Sequence, residues 1–182
     1  MTEPEIDPQL EPQVRASGVL GWLAFAAVVV TLDQASKWVI VKYFQFGEEL
    51  PVLPFFSWVR WHNTGAAFSF LNDAGGWQRW LFAALAIGFS LYLIWELTRL
   101  RVSEKTQALV YALILGGALG NLIDRLQHGY VVDFVLLHYE RHIFPAFNVA
   151  DSAIFLGAVI WFFLLWREYQ AQKAGADTVI ER

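Results

Sequence analysis

The sequence predicts a mainly α membrane protein in which four transmembrane helices carry a small β-sheet and loop on their outer side. Three observations predict it. The 182-residue chain is 57% hydrophobic, 16% aromatic and only 16% charged, well away from the soluble average. Four segments, at about 19–43, 77–98, 106–127 and 149–166, supply the roughly 20 apolar residues that crossing a ~30 Å hydrocarbon core requires. Three aspartates, Asp124, Asp133 and Asp151, stand at or just outside the ends of the last two segments, where a carboxylate is costly unless it faces a polar cavity or a partner.

Residues 1–17 carry Glu3, Glu5, Asp7 and Glu11 against a single Arg15, which reads as a disordered cytoplasmic tail. Ala24-Phe25-Ala26 formally resembles a signal-peptide cleavage site. The apolar run continues past it, so the first span is expected to be an uncleaved anchor. Asp33 and Lys37 within this span are four residues apart, on one helical face where they can pair.

The loop 44–76 is long, and Pro51, Pro54, Gly65 and Gly75-Gly76 punctuate it. Its stretches 55–62 and 66–70 are rich in aromatic and aliphatic residues and are expected as short strands of a sheet against the membrane surface, joined by 130–136. Trp58, Trp61, Trp77 and Trp80 fit an aromatic belt at the headgroups. Span two ends at Arg99, Arg101 and Lys105, cations that place this link, Arg15, Arg167 and Lys173 on the cytoplasmic side. Both termini then face the cytoplasm, while the loops 44–76 and 128–148 face outward. The four-span unit covers 18–170, and 171–182 reads as a second cytoplasmic tail.

Span three contains Gly116, Gly117 and Gly120, small residues that let membrane helices approach closely, and ends on Asn121, Asp124 and Arg125. Span four opens on Asn148 and Asp151. Antiparallel packing brings all these polar groups, with Asp33, to one outer rim. A proton relay would need ionisable groups at several depths, yet the inner halves of the spans are almost free of them.

Two neighbouring carboxyls cannot both ionise cheaply, so one can activate water while its protonated partner polarises a peptide carbonyl. Asp133 and Asp151 are the candidates, with Asp124 next. Plainer roles compete. Asn148 and Asp151 suit the cap of the fourth helix, Asp133 could be a solvated loop acid, and Asp124 with Arg125 could be a structural ion pair. Asn121 could merely bridge helices, and Asn63-Thr64 before Gly65 could be turn residues. The absence of cysteine excludes thiol nucleophiles, thiolate metal sites and disulfides. His138, Glu140 and His142 lack the zincin order, and Ser36 beside Lys37 points to another side of its helix. A net charge of −4 without charge blocks offers nothing to a nucleic acid.

Five blocks resemble the bacterial lipoprotein signal peptidases, or signal peptidase II: Asp33-Gln34-Ala35-Ser36-Lys37, Asn63-Thr64-Gly65-Ala66-Ala67-Phe68, GGALGNLIDR at 116–125, Val131-Val132-Asp133-Phe134 and FPAFNVADS at 144–152. They fall in family order across nearly the whole chain. The resemblance implies an inner-membrane aspartyl endopeptidase that cuts lipid-modified prolipoproteins just before the diacylglyceryl-cysteine. It maps the catalytic pair to Asp133 and Asp151, and supporting residues to Asp33, Lys37, Asn63, Asn121, Asp124, Arg125 and Asn148. It further implies a small periplasmic sheet, inhibition by the peptide antibiotic globomycin, membrane lipids as surroundings, action as a monomer, and no need for a metal or organic cofactor.

Overall fold

A computed structural model describes residues 16–65, 75–139 and 142–180. Helix α1 spans Ala16–Tyr43, α2 Gln78–Arg99, α3 Lys105–Gln127 and α4 Val149–Ile180. Each contains a stretch long and apolar enough to cross a membrane. α3 is the central helix: 61% of its apolar stretch is buried within the protein, against 17%, 22% and 17% for α1, α2 and α4. The outer three leave Phe25, Trp80, Phe155 and Phe162 among the side chains exposed to the surroundings, as lipid-facing helices should.

Glycines set how closely the helices meet. A Cβ on Gly116 would lie 2.7 Å from Val29 Cβ of α1, and one on Gly117 would collide with the backbone carbonyl of Ala150 on α4. Adjacent glycines thus open both flanks of α3, and the buried cluster of Ala26, Leu93, Leu97, Val110 and Leu115 fills the space between helices.

Strands β1 (Glu49–Leu53), β2 (Phe56–Asn63), β3 (Val131–Tyr139) and β4 (His142–Ile143) form one antiparallel sheet in that order. The expected strand 66–70 lies outside the described residues. The expected 55–62 and 130–136 appear as β2 and β3. β1 and β4 were not foreseen: β1 contains Pro51 and is exposed throughout, and β4 has two residues. β1 is an edge strand, where proline is tolerated. On β3, Val132 and Phe134 pack with Ile40 of α1, which seats the sheet on the end of the bundle. Asp133, between them in the alternation, has its Cα partner in Trp61 of β2. α4 also continues well beyond the expected end of the span, because the Ala, Glu, Gln and Lys residues that follow are good helix formers.

Candidate active site

α1, α3, α4 and β3 converge where the spans meet the sheet. On α1, Lys37 is buried and its ammonium lies 2.8 Å from Asp33 Oδ2, 3.0 Å from Asp124 Oδ2 and 3.0 Å from Asn121 Oδ1. These acceptors use all three of its N–H donors. Asp124 therefore pairs with Lys37 rather than with its sequence neighbour Arg125, and Asp124 Oδ2 also accepts the Val132 N–H at 3.0 Å. Asp33 Oδ1 accepts the N–H of Ala150 at 2.9 Å. One cation with two acids thus ties α1 to α3, to the first turn of α4 and to the start of β3.

Asn148 and Asp151 cap α4 reciprocally. The Asp151 N–H donates to Asn148 Oδ1 at 2.9 Å, and the Asn148 N–H donates to Asp151 Oδ2 at 3.2 Å, in the manner of a capping box. Capping does not exhaust Asn148, because its side chain reaches the other way as well. Its Nδ2 donates to Asp133 Oδ1 at 2.8 Å. The second oxygen of Asp133 accepts from Asn63 Nδ2 at 3.1 Å. Asn121 Nδ2 donates to Asp151 Oδ1 at 2.7 Å, so Asn121 joins α1, α3 and α4.

Asp133 is 3% exposed. Burial and then the neighbouring Asp151 carboxyl push it up to about 7, against the pull of the Asn63 and Asn148 hydrogen bonds and the Lys37 charge. A carboxyl so poised can hold or release a proton near neutrality.

The structure brings together all nine residues singled out from the sequence. Arg125 stands at the rim, donating to the Gly65 carbonyl at 2.9 Å and the Asn121 carbonyl at 3.3 Å; it anchors the end of the β2 segment. Gln34 was not singled out. Its Nε2 donates to Asp124 Oδ1 at 2.8 Å and the Gly120 carbonyl at 3.1 Å, and an amide inside a membrane helix was the signal that could have found it. His138 is engaged with Ser57 Oγ at 3.0 Å, Glu140 lies outside the described residues, and among the described residues no cluster of three potential metal ligands occurs.

Known proteins share this arrangement of sequence and fold. The family model described as signal peptidase (SPase) II matches residues 25–167. A lipoprotein signal peptidase of Acinetobacter baumannii is 50% identical over 139 residues, 76% of this chain and 79% of that protein. One from Polynucleobacter necessarius is 46% identical over 155 residues, 85% and 93% of the two chains. Among solved structures, a bacterial membrane enzyme superposes with a TM-score of 0.75 at 26% identity, covering 88% of this chain and 94% of its own. A second gives 0.71 at 27%, covering 86% and 97%. By sequence and fold alike, the chain belongs to the signal peptidase II family, multi-pass bacterial membrane proteases of the aspartic type that remove signal peptides from prolipoproteins.

Proposed function

We propose that this enzyme cleaves diacylglyceryl-modified prolipoproteins just before the lipidated cysteine, with Asp133 and Asp151 as the acid pair that activates water. The observation that carries the reading is the bridge made by Asn148, whose side chain donates to Asp133 and whose backbone donates to Asp151. The raised proton affinity of Asp133 beside Asp151 supports one proton shared by the pair near neutrality, written in the steps below on Asp133.

In the cleavage step Asp151 takes a proton from the water as its oxygen bonds to the scissile carbonyl carbon, and Asp133 gives its proton to the carbonyl oxygen. The tetrahedral diol then collapses. Asp133 recovers the proton from one hydroxyl, Asp151 protonates the amide nitrogen, and the C–N bond breaks. Asn63 and Asn148 orient the substrate backbone and the acids. No metal or organic cofactor enters these steps.

The enzyme works in the bacterial inner membrane as a monomer, with both termini cytoplasmic and the acids on the periplasmic side. Arg99, Arg101 and Lys105 at the opposite end of the bundle support that orientation. Substrate acyl chains stay in lipid beside the helices while the signal helix enters between them, and globomycin inhibits by occupying the acid pair.

The test is to replace Asp133 and Asp151 singly with Asn, match protein abundance, and assay cleavage of a lipidated precursor. Each substitution is expected to abolish turnover; full activity in either ends the proposal. Precursor lacking the diacylglyceryl group should be cut poorly, and efficient cutting would remove lipid recognition from the mechanism.

A further inference from the structure

All four oxygens of Asp133 and Asp151 face N–H donors: Asn148 Nδ2 and Asn63 Nδ2 on Asp133, Asn121 Nδ2 and the Asn148 backbone on Asp151. Three of these donors belong to side-chain amides, and an amide turned by half a revolution presents an acceptor instead. Something must fix each one. For Asn148 it is the Asp151 N–H on its oxygen at 2.9 Å, and for Asn63 the Gly65 N–H on its oxygen at 3.0 Å. Both are backbone groups that can only donate.

Among the described residues, no backbone N–H holds the oxygen of Asn121. That oxygen receives Lys37 Nζ at 3.0 Å and the Asn148 amino group at 3.2 Å. The Asn148 amino group is shared with Asp133 at 2.8 Å and the Val132 carbonyl at 3.4 Å, so it is a divided constraint. Lys37 offers a whole N–H, held in place by Asp33 and Asp124, and an ammonium group never accepts. Its charge, which also reaches Asp133, is partly offset by those two carboxylates, so the direction it imposes on Asn121 is a contribution separate from its charge.

We propose that Lys37 is a positioning residue for the reaction: its ammonium group fixes the side-chain amide of Asn121 so that an N–H, and not the carbonyl oxygen, meets Asp151. This rests on the Asp133–Asp151 reading above. With Asn121 turned, its carbonyl would face the carboxylate meant to accept a proton from water and disfavour its ionised form. Among the described residues, Asp133 of β3, Asp33 of α1, and Asp124 and Arg125 of α3 are the other charged groups of this site.

The experiment compares kcat, KM and the pH profile of the full-length enzyme on a lipidated precursor peptide for K37M, N121A, K37M/N121A, D33N/K37M/D124N and D151N. The D33N/K37M/D124N variant removes the ammonium without stranding buried carboxylates, so it answers the question even if K37M alone does not fold. K37M and N121A are each expected to lower kcat by about 10- to 100-fold, the fold-change that corresponds to losing one hydrogen bond to a charged group, with KM unchanged and the acid limb moved to higher pH. Because Lys37 acts through Asn121, the double variant should be no slower than N121A, and D33N/K37M/D124N should keep the loss. Multiplying losses in K37M/N121A, or wild-type kcat in D33N/K37M/D124N, overturns the proposal. Full activity in D151N instead refutes the acid pair itself, which is a separate failure.

Discussion

Gly120 lies so close to Asp33 that a Cβ on it would stand 2.6 Å from Asp33 Oδ2. That oxygen is held by Lys37 at 2.8 Å, and Asp33 Oδ1 is held by the Ala150 N–H, so it cannot move aside without loosening the ion cluster. Gly120→Ala is expected to destabilise the enzyme by about 1–3 kcal/mol, the usual cost of overpacking, and Gly117→Ala by at least as much, since its obstacle is backbone. Gly88→Ala on α2, where a Cβ meets nothing, should be neutral or slightly stabilising. Thermal unfolding in detergent checks the order; a Gly120→Ala midpoint equal to that of Gly88→Ala would show that α1 and α3 are not tightly apposed.

Asp133 makes stability fall as pH rises. Its carboxyl is raised from 3.8 to about 7, by burial first and by Asp151 second, so the folded protein binds a proton that the unfolded chain has released. The stabilisation is present in full below the ordinary carboxylate value and is lost as pH climbs through about 7, with a slope of at most ~1.4 kcal/mol per pH unit. The unfolding midpoint of the wild type, measured against that of Asp133→Asn, should therefore decline from about pH 5 to about pH 8. Parallel profiles for the two proteins would contradict the assignment.

Asn63 donates to Asp133 Oδ2 at 3.1 Å while its own oxygen accepts the Gly65 N–H. The bond favours the ionised carboxylate, so Asn63→Ala should raise the proton affinity of Asp133 further and move the basic limb of the kcat/KM profile to higher pH. Loss of a hydrogen bond to a charged group, about 1.5–3 kcal/mol, corresponds to about a 10- to 100-fold slower reaction. Asn63→Asp, which sets another acid against Asp133, should be slower still. A basic limb that stays in place in Asn63→Ala would separate Asn63 from the titration.

The helices were legible because lipid imposes length and apolarity on whole segments, and the acids because a carboxylate in such a setting demands a reason. The Asp33–Lys37 pair followed from helical spacing alone. What sequence spacing does not carry is the register between helices: that Lys37 also reaches Asp124 on α3, and that Gln34, next to Asp33, does so too, depends on how Gly116 and Gly120 let α1 approach. β1 escaped notice because all five of its residues are exposed and so no face alternates. The capping box of α4 was visible in the spacing of Asn148 and Asp151. Its second use, the reach of Asn148 to Asp133, requires β3 to be docked beside α4.

The ring of His62 is sandwiched rather than hydrogen-bonded. It stacks on Tyr130 with centroids 3.7 Å apart and planes 15° apart, and lies 4.4 Å from Phe46 on centroids. Its Nε2 is buried with no partner among the described residues, a loss of about 1–3 kcal/mol when water is excluded. Burial, then Arg60, then His128 lower its proton affinity, so the neutral ring favours the fold. That contribution is present above the ordinary histidine value of 6.5 and is lost as pH falls through it, because the unfolded chain gains the proton first. Phenylalanine keeps the stacked face and has neither the stranded nitrogen nor the charge. His62→Phe is therefore expected to raise the unfolding midpoint by about 2–4 °C per kcal/mol recovered, with a larger gain near pH 5 than near pH 8. A lower midpoint at both pH values would mean that His62 contributes through its nitrogen and not through its stacked face.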